Sequence, residues 1–420
     1  MDAFHSAGEL LEATYVQKRI ESFFSNLFYL FFSAQILSPF VAGRTLYLEN
    51  VIAVLNPYFI FWVARKVRSG DRVLPIVCGL LLLGVTGAID LMIKMGIFVV
   101  SVTYIFYSRE RGQYYLFRYA TISVLFAVAQ FVLLFVHPAW ALKIGPTNIA
   151  HSIWGSFATP SFTNFFAIFV IPRVSGLSRE GGFFASFLVA CILLYWLDRG
   201  SYARSKFVPL MLAVGLILSV SKMSLVLLPA YLLIKYAHRW NKIPYLFVPL
   251  LFSLPFILFT EAHQQFLTGV NAGTFLQRLG GYGAIRDLTF SQLLFGTHGL
   301  RDVHSVLAAD LSYMSQGRFD YFTGLPGYVF SHGLAGTLLA LVILWILGVT
   351  PAGLFLLLGM TLNVDIATNQ NFVTLTYFII FAYFGVKRRN LLGAVVPQER
   401  TYDCGQPNGD ERGAYEEHAE

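Results

Sequence analysis

The sequence predicts an all-α polytopic membrane protein with about 12 transmembrane helices and one large periplasmic loop between the late helices. Three observations predict it. Of 420 residues, 56% are hydrophobic and only 13% are charged, where a soluble domain carries about 25% charged residues. The mean hydropathy is +0.63. The apolar residues also fall in continuous runs of about the length that crosses a bilayer core, unlike the weakly alternating segments of spanning barrels. The net charge of +7 sits in clusters beside those runs, so it reads as membrane topology. No nucleic acid is expected as a partner.

Residues 1–20, with Glu9, Glu12, Lys18 and Arg19, read as a polar cytoplasmic lead. They lack a basic n-region followed by a small-residue cleavage site, so the first apolar run is expected to stay as a helix. Residues 21–260 carry the first set of transmembrane helices, with apolar runs near 23–41, 48–64, 73–89, 91–107 and 116–136. Arg65, Lys66, Arg68 and Arg72, then Arg109, Arg111 and Arg118, lie between them and mark cytoplasmic loops. Asp90 and Lys94, between the third and fourth runs, read as an ion pair at a loop end.

Residues 137–164, rich in Pro, Trp, Ser and Thr, form an outer polar loop. Runs near 161–177 and 183–197 follow, broken by Pro172, Arg173 and Arg179. Beyond Arg199, Arg204 and Lys206 comes the apolar stretch 207–236, interrupted at Ser221-Lys222, and Lys235, Arg239 and Lys242 precede a run at 244–260. Residues 325–389 hold the last runs, 327–348, 351–364 and 371–386, which Lys387-Arg388-Arg389 stops. Residues 390–420 read as a disordered cytoplasmic tail, acidic at its end. Thirteen runs cannot leave both termini in the cytoplasm, so one piece between 161 and 236 is re-entrant or two are one helix. With both ends inside, the loop 261–324 faces the periplasm or exterior.

That loop is the only sizeable polar interruption in the apolar sequence. Loops this long are usually functional or disordered, and its Phe, Tyr, Leu and Gly content argues against disorder. Its cations are Arg278, Arg286, Arg301 and Arg318, with no lysine; it also holds His263, His298, His304, Asp287, Asp302, Asp310 and Asp320. Guanidinium groups bind phosphate and carboxylate bidentately and stay charged. Arg286-Asp287 and Arg301-Asp302 read equally well as solvated pairs worth little. Arg278 has no acidic neighbour, lying between Gln277 and Leu279-Gly280-Gly281, and ranks first as an anion contact. His304 and His298 are candidate acids or bases, although a lone loop histidine is more often structural.

Lys222 is the other candidate. An intramembrane cation costs about 2.5–3.5 kcal/mol on insertion scales and is a functional hypothesis by default; the plainer reading is a lysine snorkelling to the interface. If the stretch breaks at Ser221, Lys222 lies at the outer rim, beside Arg278 and within reach of a lipid phosphate. Cys78, Cys191 and Cys404 show no CxxC or Cys/His spacing, so neither zinc nor a disulfide framework is expected. There is no GxxxxGK[ST], no GxGxxG after a strand and no HExxH, which leaves ATP-driven and metalloprotease chemistries without a basis.

Three pieces of the chain resemble the O-antigen polymerase/ligase superfamily of bacterial inner-membrane glycan-assembly proteins. Leu218-Ser-Val-Ser-Lys-Met-Ser-Leu225 is similar to the family's apolar helix broken by a Ser-Arg or Ser-Lys pair. Arg278, Tyr282, Leu294-Phe295-Gly296 and Gly299 resemble its loop pattern of Arg, an aromatic, an apolar pair and spaced glycines. Gly333-Leu-Ala-Gly336 is similar to its Gly-Leu-x-Gly entry into the next helix. The pieces cover about 218–345, and the first half is similar only in hydropathy and helix count.

The resemblance implies a metal-independent glycosyltransferase without a cofactor, acting on undecaprenyl-pyrophosphate-linked oligosaccharides at the periplasmic face of the inner (plasma) membrane. By the same resemblance Lys222 and Arg278, with Arg301 nearby, contact the donor pyrophosphate while an acceptor hydroxyl attacks the anomeric carbon. Preorganised cations suit the charge that develops on the leaving group. Partners implied are membrane lipids, a chain-length-determining co-polymerase and a flippase. The family's ligases carry a histidine eleven positions before Gly-Leu-x-Gly; here that position is Phe322, and His332, Asp320 and His304 are out of register. This departure favours a polymerase building O-antigen, capsule or exopolysaccharide, and leaves His304 and Asp320 as the candidates for the base. The alternatives are a ligase moving glycan to a lipid or protein acceptor and a lipid-linked glycan transporter. Transporters tend to show internal repeats and paired broken helices, whereas this chain has one asymmetric loop.

Overall fold

A computed structural model describes residues 2–41, 44–68, 78–79, 81–82, 89–160, 164–166, 171–197, 205–236, 285, 288–297, 324–347, 353–354, 356–357 and 371–380. Helix α1 spans Asp2–Ser33 and runs into a 3-10 turn at Gln35–Leu37. Strands β1 (Phe40–Val41) and β2 (Arg44–Thr45) then pair antiparallel.

The run expected as one span at 48–64 is two helices, α2 (Leu48–Leu55) and α3 (Pro57–Arg68). Proline suits a first helical position because the N–H it lacks has no intrahelical partner there. Asn56, fully buried, caps α3: its Oδ1 accepts from the N–H groups of Tyr58 at 3.1 Å and Phe59 at 3.4 Å. Its Nδ2 donates to the Tyr104 hydroxyl at 3.1 Å. Asn56→Ala is therefore expected to cost about 1–3 kcal/mol, from the lost cap and the lost bond to the Tyr104 hydroxyl together. Thermal melting of the detergent-solubilised protein against Asn56→Asp, which keeps the capping oxygen, checks this.

Helices α4 (Ile89–Tyr107) and α5 (Arg109–Val136) follow. Asp90 and Lys94 lie four apart in the first turns of α4, so they belong to one helix and not to a connecting loop. Where α4 meets α5, Arg111 Nη1 reaches Glu21 Oε2 of α1 at 2.9 Å, and the Tyr107 hydroxyl donates to Glu21 Oε1 at 3.0 Å. Deeper along α1, Phe28 stacks on Tyr104 with ring centroids 4.3 Å apart, and the Tyr29 hydroxyl bonds the Ser108 hydroxyl at 3.1 Å.

The polar stretch after α5 is helical, with α6 (Pro138–Lys143) and α7 (Pro146–Trp154). The candidate run at 161–177 is not a helix: β3 (Asn164–Phe166) and β4 (Ile171–Arg173) pair antiparallel there, with Phe165 opposite Pro172. This region closes over the far end of α1. Trp154 Nε1 donates to the Leu37 carbonyl at 2.8 Å, and the Ile36 N–H to the Leu177 carbonyl at 3.3 Å.

Helix α8 (Gly181–Leu197) is buried on all sides over residues 184–194, as a helix apolar all round must be. Around it lie α5, α9 (Phe207–Leu218), α10 (Leu227–Tyr236) and α13 (Asn371–Ile379), and the described helices also include α11 (Phe290–Phe295) and α12 (Gly324–Leu347). Asn371 ties α13 to α1, its Nδ2 donating to the Phe32 carbonyl at 3.2 Å while its Oδ1 accepts from the Phe372 N–H.

The helices turn apolar residues outward. Phe135 and Val136 of α5, Phe61 of α3, Ile217 of α9 and Leu225 are each largely exposed. Among the described residues one helix, over Arg111–Val136, is long and apolar enough to cross a membrane, and Met92–Tyr107, Gly181–Leu197, Phe207–Leu218 and Gly327–Ile343 are shorter apolar helices.

Candidate functional site

The apolar stretch 207–236 breaks where Ser221-Lys222 interrupts it. Helix α9 ends with the Ser219 N–H on the Gly215 carbonyl at 3.0 Å. Val220 then adopts φ +43°, the only positive φ at a non-glycine among the described residues. A β-branched side chain there is a genuine conformational outlier. Ser221 is extended, and its Oγ accepts from the Met223 N–H at 3.3 Å. A 3-10 helix, Lys222–Val226, begins with Lys222 and leads into α10. The backbone of Lys222 is thus at a break between two helices, as the sequence indicates.

The end of α9 is held from outside. Arg173 Nε, at the end of β4, donates to the Ser219 carbonyl at 3.3 Å. Gly181 opens α8 against the same carbonyl: a Cβ on it would stand 3.4 Å from the Ser219 and Val174 oxygens.

A second assembly joins the large loop to α12. Thr289 starts α11 with a capping box: its Oγ1 accepts from the Gln292 N–H, and Gln292 Oε1 accepts from the Thr289 N–H. The helix stops at Gly296, with φ +79° and ψ −176°. Helix α12 is broken in its interior by Gly333, with φ +69° and ψ +179°. Both conformations lie in a region essentially restricted to glycine. The two glycines also pack on one another. A Cβ on Gly296 would stand 2.5 Å from the Ser331 carbonyl oxygen and 2.6 Å from the Gly333 nitrogen, and one on Gly333 would meet Leu294 O and Gly296 N. The Thr297 N–H donates to the Phe330 carbonyl at 3.1 Å. Beside the kink, the ring of His332 meets Tyr328 edge-on at 4.8 Å, and Thr337 Oγ1 donates to the Gly333 carbonyl at 2.7 Å.

Of the expected site residues, only the backbone of Lys222 falls among the described residues; Arg278, Arg301, His304 and Asp320 lie outside them, as do Tyr282, His298 and Gly299. Gly296 and Gly333, which belong to two separate stretches of the chain, are brought into direct contact. Two residues carry more than the sequence reading gave them. Arg173 reads in sequence only as an interruption of an apolar run. Glu49, a buried carboxylate in the first turn of α2, lies with Arg179 within electrostatic reach of Tyr47. Its signal was an acid one residue into an apolar run. Among the described residues no three His, Cys, Asp or Glu side chains are grouped to hold a metal ion.

No protein-family model, no curated protein and no solved structure matches this chain.

Proposed function

We propose that this chain is a polysaccharide polymerase that joins undecaprenyl-pyrophosphate-linked repeat units at the periplasmic face of the inner membrane. The observation that carries the reading is the contact between Gly296 and Gly333. In the resembling family the glycines after the loop arginine and those opening the next helix are separate signatures. Here each supplies the backbone conformation and the missing side chain that the other requires. This anchors one end of the arginine-bearing loop against a membrane helix.

In this mechanism Arg278 and Lys222, with Arg301, bind the oxygens of the donor pyrophosphate. The acceptor hydroxyl oxygen forms a bond to the anomeric carbon of the donor sugar. The bond from that carbon to the pyrophosphate oxygen breaks, and its electron pair leaves with the pyrophosphate. The acceptor proton passes to a base, for which His304 and Asp320 are the candidates. Fixed cations aimed at the leaving group lower the barrier because its charge grows in the transition state.

We further propose twelve spans with both termini cytoplasmic. The β3–β4 hairpin in residues 161–177 supports it by taking one run from the thirteen and making the count even. The pairing of Arg111 with Glu21 supports it too, because it puts the basic loop before α5 at the same end of the bundle as the lead of α1.

The glycan profile of a deletion strain, complemented with the wild-type gene, tests the function. A single repeat unit still transferred to its usual acceptor is the expected result. Full-length polymer stranded on the lipid carrier would mean a ligase, and repeat units trapped on the cytoplasmic face would mean a transporter.

A further inference from the structure

We infer that Arg173 is a positioning residue: by holding the Ser219 carbonyl it enforces the break that places Lys222 between two helices. The inference rests on the reading of Lys222 as an anion contact, and its geometry stands on four observations.

The first is that the local sequence does not enforce the break. From Leu218 to Leu228 the chain reads Leu-Ser-Val-Ser-Lys-Met-Ser-Leu-Val-Leu-Leu, with neither proline nor glycine; Pro229 comes next, in the first turn of α10, where it restricts the start of that helix but does not end α9 at Ser219. Helices usually stop at a glycine in the left-handed conformation or just before a proline. Here the residue after the last turn is Val220 at φ +43°. Such a residue persists only where its surroundings over-determine it.

The second is what stands on its N-terminal side. The carbonyls of a helix's last turn have no intrahelical donor and carry the negative end of the helix dipole. The Ser219 carbonyl takes the Arg173 guanidinium at 3.3 Å. An extended α9 would direct that carbonyl to the N–H of Met223, so the arginine competes directly with helix propagation.

The third is what stands on the C-terminal side. The Ser221 hydroxyl accepts from the Met223 N–H, and the Ser221 carbonyl accepts the Ser224 hydroxyl at 2.7 Å. These bonds secure the new helical start but do not reach across Val220.

The fourth is that Arg173 is itself held. It pairs with Asn164 in the β3–β4 ladder. Its Cβ lies 3.5 Å from where a Cβ on Gly181 would stand, which puts the strand end, the start of α8 and the end of α9 side by side. The hairpin thus fixes Arg173, Arg173 fixes Ser219, and Val220 absorbs the misfit. Released from the arginine, α9 would propagate. Each added helical residue turns the following side chain by about 100° and moves it about 1.5 Å along the axis. Lys222 would then change both its face and its depth.

The test reads the position of residue 222 without relying on activity. Lys222→Cys, in the full chain with Cys78, Cys191 and Cys404 replaced by alanine, is labelled in intact cells with a membrane-impermeant maleimide. Adding Arg173→Gln is expected to change the labelling rate by about tenfold or more, because a thiol reacts only where it is accessible and can ionise. Arg173→Lys, which keeps a cation at the carbonyl, should hold the rate within about twofold of the parent. Val220→Gly added to Arg173→Gln should restore the parent rate, since glycine adopts positive φ without steric cost.

An unchanged rate in Arg173→Gln overturns the inference, as does failure of Val220→Gly to restore it. So does loss of folded protein in Arg173→Gln, by size-exclusion profile, that Val220→Gly does not repair; Arg173 would then be a general structural residue. If labelling responds as expected while Lys222→Ala and Arg173→Gln leave polymer length and amount unchanged, the positioning stands and the reading of Lys222 as an anion contact falls; the polymerase reading is judged separately by the deletion strain.

Discussion

Arg278→Ala is expected to remove polymer from the cell, by about 100-fold or more, while the protein stays inserted in the membrane at its normal level. The reason is chemical and local. A pyrophosphate leaving group gains negative charge as its bond to the sugar breaks, and a fixed guanidinium stabilises that charge through two parallel hydrogen bonds. Arg278→Lys keeps the charge and loses the fork, so its output should remain within about tenfold of the alanine variant. Polymer quantified by gel, normalised to membrane-inserted protein, checks both. Arg286→Ala is the internal comparison: Asp287 follows it in sequence, so a solvated pair is expected there and a change beyond about twofold is not. Equal effects from Arg278→Ala and Arg286→Ala would remove the special place given to Arg278.

Gly333→Ala is expected to have the largest effect on stability. Its backbone angles cost any other residue about 1–3 kcal/mol. The added methyl would also be driven against the carbonyl of Leu294 and the nitrogen of Gly296, a backbone surface that cannot swing away as a flexible side chain does. Protein level and melting temperature should both fall, and proteolytic cleavage within residues 288–297 should accelerate as α11 leaves α12. Gly296→Ala breaks the same contact from the other side, so the double variant should cost clearly less than the sum of the singles. Additive costs would mean that the two glycines are needed for unrelated reasons. Gly336→Ala, inside the helical part of α12 and meeting only the Cβ of His332 at 3.1 Å, serves as the mild comparison.

The helical class of the chain is legible because hydropathy alone carries it, and Ser221-Lys222 is legible because two polar residues stand in a long apolar stretch. The β3–β4 hairpin is less so. Phe165, Phe166, Ile168, Phe169, Val170 and Ile171 make a short apolar run, and periodicity cannot separate a strand from a helix at that length. Only Pro172 hints at the outcome, since it removes a helical donor. The kink at Gly333 is invisible for another reason: a glycine within a helical pattern is tolerated, and what breaks α12 there is the approach of Gly296 from a distant stretch. Arg173 is hidden in the same way, because its partner is a carbonyl and main-chain acceptors leave no trace in sequence. Arg278, Arg301, His304 and Asp320 lie outside the described residues, and composition, spacing and the family resemblance are what point to them.

The bond from Asn371 to the Phe32 carbonyl joins positions 339 residues apart, and it has a consequence for biosynthesis. At about 5–20 residues per second, α1 waits roughly 20–70 s for the helix that completes its packing to leave the ribosome. During that interval the surface meant for α13, which also includes Phe98 of α4 against Tyr377, stays uncovered and open to proteolysis. A stop codon placed before Asn371 should therefore yield a chain that inserts its early helices yet is cleared rapidly. The last apolar run thus acts as the checkpoint for the maturation of the first.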